Sequence, residues 1–126
     1  MKIIDSTLNI HNCVVPKKWG KEIIVHNGED YCGKLLVFKK GAKFSMHFHI
    51  KKKETWYVQE GKFILRYIDV VDATMHEKEL VKGTIVDVER GDPHQLIALT
   101  KGVIFEVSTQ HFDNDSYRIE KGDSQC

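Results

Sequence analysis

Short runs rich in β-branched and aromatic residues, many of them alternating between apolar and polar positions, recur along the chain and predict β-strands. They cover residues 22–25, 33–40, 43–50, 54–60, 62–71, 83–89, 94–99 and 102–109. Turn-forming stretches such as NGED, EGK and RGDP separate them. No segment keeps an apolar stripe of helical period over three turns, so the pattern predicts an all-β fold, either a sandwich or a barrel. The segment Asp69–Leu80 fits either a hairpin with a long loop or a short helical turn.

Length and composition limit the architecture and the classes of partner. The 126 residues suit one domain, with an N-terminal strand arm over about residues 1–15 and a tail over about 112–126. Nineteen basic and eighteen acidic side chains leave a net charge of +1, which gives no electrostatic reason to bind nucleic acid. No apolar run reaches the roughly 20 residues that span a membrane. The N-terminus lacks a signal-peptide core and the three cysteines are widely spaced, so we expect a cytoplasmic protein.

Two histidines one residue apart give the strongest chemical signal. Residues i and i+2 of a strand share a face, so His47 and His49 point the same way, together with Ser45. Glu54 follows after a short crossing at the start of the next predicted strand, and His94 opens a distant one. Three imidazoles and a carboxylate suit a divalent transition metal and leave positions for water or substrate. The ligand set does not identify the metal, and zinc, iron, manganese, nickel and cobalt all remain open.

A simpler interpretation is available for each of these residues. An H-x-H pair on a strand is common, and with Glu54 it would also make an ordinary polar surface patch. The run Lys51–Lys53 is most simply a solvated turn. The other histidines have no partner spacing, and we expect them to be structural or exposed: His11, His26, His76 and His111.

The spacing of glycines around these residues resembles a known pair of motifs. Residues 41–61 read G-x5-H-x-H-x4-E-x6-G, and residues 83–94 read G-x7-G-x2-H. The two patterns resemble the sequence motifs of the cupin superfamily, with Glu89 standing where a proline is usual and Ala98 where an asparagine often stands. The resemblance implies a small antiparallel β-barrel, or jelly roll, that holds one metal through four residues: His47, His49, Glu54 and His94.

Other segments resemble a narrower group within that superfamily. The stretches KKWGKEIIV and IFEVSTQHFDNDSYRIEKGDSQ are similar to the entry and closing segments of type II mannose-6-phosphate isomerases and of the isomerase-like domains of mannose-1-phosphate guanylyltransferases. The resemblance spans about residues 16–125. Those isomerases usually carry glutamine at the position of His47, and a histidine-arginine run where this chain has lysines.

The resemblance and the alternation together suggest pocket residues. Lys34 and Arg118 match basic residues of the resembled group, and we expect them to hold a sugar phosphate or to act in catalysis; a surface charge is the alternative for each. Trp56 and Val58 follow Glu54 at two-residue spacing, so they are expected to line the same interior as Ser45. No residue is assigned as the base that moves a proton.

Three functions follow as hypotheses. The first is a metal-dependent sugar or sugar-phosphate isomerase or epimerase acting on a small carbohydrate. The second is a cupin that binds a carbohydrate or nucleotide sugar without turnover, and the third is a metal-dependent dioxygenase. We also expect a homodimer, with the segment KIIDSTLNI as a candidate pairing strand, and no nucleic-acid or membrane partner.

Overall fold

The computed structural model describes residues 1–4 and 13–126, and almost all of its regular structure is β-strand. The strands are β1 Val14–Lys17, β2 Gly20–Asn27, β3 Cys32–Phe38, β4 Met46–Phe48, β5 Glu54–Glu60, β6 Phe63–Asp69, β7 Thr74–Leu80, β8 Ile85–Val88, β9 His94–Ala98, β10 Gly102–Ser108 and β11 Tyr117–Glu120. Two short 3₁₀ turns, Asp113–Asp115 and Asp123–Gln125, lie in the C-terminal part. None of the helices in this described part has the length and apolar character to cross a bilayer.

The strands form two antiparallel sheets that pack face to face. One sheet has the order β1-β2-β3-β10-β5-β8 and the other β11-β4-β9-β6-β7. Every pairing among the described strands is antiparallel. The expected small antiparallel β-barrel, or jelly roll, is confirmed.

The interior is apolar at one end and charged at the other. In β3, β5 and β10 the inward residues alternate with outward ones, as the two-residue period requires. Phe38 and Val58 lie in the core, where Trp19 stacks on Phe38 with ring centroids 4.5 Å apart. Each such buried side chain stabilises the fold by about 1.5–3 kcal/mol. Lys34 and Glu106 occupy further inward positions on β3 and β10 and are both buried. The charged end of the interior begins at these two residues.

The motif glycines are required by backbone geometry. Gly61, in the turn between β5 and β6, has a φ of 85°, and a Cβ there would lie 2.6 Å from the carbonyl oxygen of Lys101. Gly41 has a φ of 78° in the turn before β4. Both conformations favour glycine. The glycine spacing in the sequence therefore marks two tight turns, one before β4 and one after β5.

Several local details differ from the sequence expectations. The ambiguous segment Asp69–Leu80 is the turn and second strand of the β6–β7 hairpin. The strand expected over residues 43–50 is shorter, Met46–Phe48. The tail adds β11, which pairs with β4 and brings Arg118 opposite His47. The N-terminal arm and the candidate pairing strand KIIDSTLNI fall largely on residues 5–12, outside the described residues.

Candidate metal centre

Three imidazoles converge where β4 meets β9. His47 lies on β4 and pairs in register with His94, the first residue of β9. His49 follows β4 by one residue and shares the inward face with His47. One ring nitrogen from each histidine lies within 4.8 Å of the other two. His49 and His94 are buried and His47 is half-buried, so the group lies inside the barrel and opens to one side.

Hydrogen bonds to backbone carbonyl oxygens fix the orientation of all three rings. The Nδ1 atom of His47 lies 2.7 Å from the carbonyl oxygen of Ser45, that of His49 lies 2.8 Å from the carbonyl oxygen of Asp115, and that of His94 lies 2.8 Å from the carbonyl oxygen of Asp92. A carbonyl oxygen only accepts, so each Nδ1–H is the donor. The lone pair of each ring is therefore on Nε2, the arrangement found in metal-binding histidines.

Glu54 completes the group from β5. Its Oε1 lies 3.6 Å from Nε2 of His94, and its Oε2 lies 3.8 Å from Nε2 of His49. Trp56 Nε1 donates a 2.8 Å hydrogen bond to Oε1. Among the described residues, Nε2 of His94 is buried without a hydrogen-bond partner, whereas Oε2 of Glu54 is held by the ammonium of Lys52 at 2.9 Å. Buried polar atoms are normally satisfied, and an unpartnered ring nitrogen 3.6 Å from a carboxylate oxygen fits a metal cation.

The electrostatics keep the rings in the form that binds metals. Burial, partly offset by the hydrogen bond to the carbonyl of Asp92, lowers the pKa of His94 to about 3. Burial and then the charge of Lys52 lower the pKa of His49 to about 4. Burial, followed by the neighbouring His94 and His49, lowers the pKa of His47 well below its ordinary value. All three imidazoles are consequently neutral at pH 7.

The expectation that the whole Lys51–Lys53 run is a solvated turn is wrong for its middle residue. Lys52 is only 4% exposed. Its Nζ lies 2.9 Å from Oε2 of Glu54 and 3.4 Å from Oε2 of Glu106. Burial lowers its pKa, but the two carboxylates outweigh burial and raise the pKa above its ordinary value. The residue stands two positions before Glu54, so it continues the inward alternation of β5, a signal that the lysine run concealed.

A cavity of about 450 Å³ opens beside the histidines. The candidate pocket residues Ser45, Trp56, Lys34 and Arg118 all line it. Val58 is fully buried in the core and is not part of the cavity wall. Lys34 is buried with its Nζ 3.7 Å from Oε2 of Glu22, whereas Arg118 is exposed on β11.

Sequence reasoning also missed two other residues of the wall. Glu106 lies on the inward face of β10 and is 3% exposed. His111, expected to be structural or exposed, lines the cavity with its Nδ1 atom 3.3 Å from Nζ of Lys52. The sequence signal for Glu106 was present, because a charged residue occupies an inward position between Ile104 and Ser108. Nothing in the local pattern marks His111, because it stands in an irregular segment after β10.

Comparisons with known proteins agree with this architecture. No family model matches the chain. A mannose-1-phosphate guanylyltransferase from Salmonella muenchen is 27% identical over 109 residues, which is 83% of this chain and 22% of that protein. The resemblance to such proteins, expected from the sequence, is thereby confirmed, and this chain spans about a fifth of the relative's length.

Solved structures share the fold at low sequence identity. The capsular polysaccharide assembling protein CapF from Staphylococcus aureus gives a TM-score of 0.74 at 23% identity, over 85% of this chain and 34% of that one. Oxalate decarboxylase from Bacillus subtilis gives 0.73 at 20% identity, over 84% and 29%. KdgF from a Halomonas species gives 0.64 at 19% identity, over 75% and 81%. The chain therefore has the cupin fold.

Proposed function

We propose that this cupin binds one divalent transition-metal ion and acts on a sugar or sugar phosphate as an aldose–ketose isomerase or epimerase. The observation that supports a metal best is the set of three neutral imidazoles with lone pairs on Nε2, two of which lie 3.6–3.8 Å from the carboxylate oxygens of Glu54. The residues that would hold the ion are His47, His49, Glu54 and His94. Zinc, iron, manganese, nickel and cobalt all suit imidazole and carboxylate ligands. When bound, such an ion supplies a Lewis acid that polarises a carbonyl or hydroxyl oxygen.

The form of the cavity supports a small polar substrate. Its volume of about 450 Å³ lies within the range of about 300–1,000 Å³ that small-molecule sites occupy. Arg118 stands exposed on the cavity wall, where it is suited to bind a phosphate, and Lys34 adds a buried positive charge. Trp56 closes the wall behind Glu54 and presents an aromatic surface. The carbohydrate assignment also draws on the mannose-1-phosphate guanylyltransferase relative.

Isomerisation also needs a group that moves a proton, and we assign this role to His111. Its Nε2 lies 3.2 Å from Oδ1 of Asp113 and donates to it, which leaves the lone pair on Nδ1, where the ammonium of Lys52 lies 3.3 Å away. Burial, then the charges of Lys34 and Lys52, lower the pKa of His111 to about 4. The ring is therefore neutral at pH 7, the form that a general base must have, and its contact with the ammonium of Lys52 offers a route for the proton.

The test combines metal analysis with a turnover assay. We expect purified protein to hold about one divalent ion per chain, and metal-loaded protein to convert mannose 6-phosphate or a related aldose in a coupled assay. His49→Ala should remove most of the metal and the turnover, while His26→Ala, which changes an exposed histidine of β2, should change neither. Metal content unchanged in His49→Ala would mean that the proposed site is wrong.

A binding protein without turnover is the second candidate. The relative is matched over 22% of its length, so the activity of the whole protein does not transfer to this chain. Saturable binding of a sugar phosphate or nucleotide sugar by calorimetry, with metal present and no turnover across a panel of aldoses, would favour it. Turnover that requires oxygen and Fe(II) and stops under nitrogen would instead identify the dioxygenase alternative.

We also propose that the chain forms a homodimer through the outer face of its six-stranded sheet. One register row on that face is apolar across five neighbouring strands: Ile23, Leu35, Phe105, Tyr57 and Ile85. Phe105 is 38% exposed, Tyr57 41% and Ile85 66%. An antiparallel sheet with one solvated face normally carries polar residues there, so this row indicates a covered surface.

The size of the face suits a second copy of the chain. Its central strands β3, β10 and β5 each have seven residues. With six strands about 4.8 Å apart and about 3.4 Å per residue, the flat area of the face is about 600 Å². The side chains that project from it add to this area. Stable complexes bury roughly 800 Å² per partner. Lys21 and Asp87 lie at diagonal corners and leave the middle apolar, the pattern of a protein interface.

The single-domain organisation and the cytoplasmic location stay predictions.

A further inference from the structure

We propose that Lys52 is a built-in counter-cation that competes with the metal for Glu54 and so weakens metal binding at this site. The inference rests on the proposed metal centre. The ammonium lies 2.9 Å from Oε2 of Glu54, and the same oxygen faces Nε2 of His49 at 3.8 Å. A metal ion shared by Glu54 and His49 would therefore bind the oxygen that the lysine already neutralises.

The charges around Lys52 make the metal-free site stable. Glu54 and Glu106 are both 3% exposed, and each lies within 3.4 Å of the lysine Nζ. Buried carboxylates without a counter-charge are strongly destabilising. With Lys52 present, the three groups carry a net charge of −1; without it, they carry −2, which a divalent ion would balance. Replacing the lysine by a neutral side chain both removes repulsion towards the ion and leaves two carboxylates that only a cation can satisfy.

The backbone holds Lys52 in this position. Asp115 is buried, and its carboxylate accepts hydrogen bonds from the backbone N–H groups of Ile50, Lys51 and Lys52 at 3.0–3.1 Å. The carbonyl oxygen of the same Asp115 orients the ring of His49. One residue thus fixes both the loop that carries the competing ammonium and a proposed metal ligand.

The lysine run supplies a matched control beside the tested residue. Lys53 is the next residue, but its side chain is 52% exposed and points to Glu89, which is itself exposed. Lys53→Met removes the same charge and adds the same side chain outside the site. A difference in metal affinity between Lys52→Met and Lys53→Met is therefore due to the position of the lysine and not to the net charge of the protein.

The experiment measures metal affinity directly. Wild type, Lys52→Met and Lys53→Met are stripped with a chelator and titrated with Co²⁺ and with Zn²⁺ against a competing indicator; the Co²⁺ absorption spectrum reports the ligands. We expect the dissociation constant of Lys52→Met to fall at least tenfold below wild type, and that of Lys53→Met to stay within twofold. Equal or weaker binding by Lys52→Met, with one ion bound in both proteins, would overturn the inference and leave the metal site standing. No binding in either protein would overturn both.

A second measurement applies if Lys52→Met does not fold without metal. Lys52→Met is then purified with the ion bound, and the rate at which a chelator removes it is compared with wild type. We expect at least tenfold slower release, and release as fast as in wild type would contradict the inference. In the folded case, thermal melting should show a less stable metal-free variant with a larger gain in Tm on adding metal.

Discussion

His47 and His94 face each other directly across the pairing of β4 with β9, so one contact between two strands places two of the three imidazoles. Their ring centroids lie 4.6 Å apart. In the isomerases that the sequence resembles, glutamine usually stands at the position of His47. The imidazole of His47 brings the proposed ligand set to three histidines and one glutamate, where the sequence resemblance implies a glutamine.

Replacing His47 by that glutamine should weaken the metal site without unfolding the protein. The side chain is half-buried, and an amide oxygen is a poorer ligand than imidazole for most of these metals. We expect His47→Gln to raise the metal dissociation constant by about tenfold or more, measured by competition with an indicator, with an unchanged circular dichroism spectrum. His26→Gln makes the same change at an exposed histidine of β2 and should leave the affinity as it is. An unaltered affinity in His47→Gln would show that this ring is not a ligand.

The metal-free protein should lose stability as the pH falls below about 6.5. The pKa of His49 is lowered to about 4 and that of His94 to about 3, while both titrate near 6.5 in the unfolded chain. Between these values the unfolded chain binds protons that the folded chain does not. The free energy of unfolding therefore falls by about 1.4 kcal/mol per pH unit for each such histidine. Urea unfolding at pH 7.5, 6.5, 5.5 and 5.0 measures this slope.

A single substitution isolates the contribution of one buried ring to that titration. His49→Gln should reduce the slope by about 1.4 kcal/mol per pH unit. Above pH 7.5 these histidines contribute no slope, because both states are neutral. A stability that is flat from pH 7.5 to 5.5 would mean that the buried rings are not held neutral.

The site was predictable wherever one strand or one tight turn determines geometry. The two-residue period places His47 and His49 on one face, and the glycine spacing reports the turns that frame them. The inward position of Glu54 follows from the same rule. The structure supplies what the pattern could not, the register that sets His94 opposite His47.

The charged lining of the cavity was harder to predict from the sequence. Lys52 lies in a loop among other lysines, and burial of such a residue depends on two carboxylates from β5 and β10 that are distant in sequence. The short strand β11 was not predicted either, and β1 was expected only as the end of an N-terminal strand arm over about residues 1–15. Each has four residues and is held by its partner strand, so local propensity carries little information about them.

Disrupting the apolar row should abolish self-association. Phe105 lies at the centre of that row, on β10, and its side chain points away from the cavity. Because a charge buried in an apolar interface is costly, we expect Phe105→Lys to convert a dimer into a monomer in light scattering coupled to size exclusion. Val71→Lys changes an exposed residue of the β6–β7 turn and should leave the mass unchanged. A wild-type protein that is monomeric at high concentration would contradict the proposed dimer, and a Phe105→Lys dimer would place the interface elsewhere.

Replacing His111 should separate catalysis from metal binding. The ring lines the cavity beside Lys52, and its proposed task is to move a proton. General acid–base groups contribute about 10²–10⁴-fold, so we expect His111→Gln to lower kcat by at least about a hundredfold with one metal ion still bound. His26→Gln, an exposed histidine that stacks on Tyr31 outside the cavity, is the matched control. Turnover that survives in His111→Gln would assign the proton transfer to another group, and loss of the metal would instead make His111 part of the metal site.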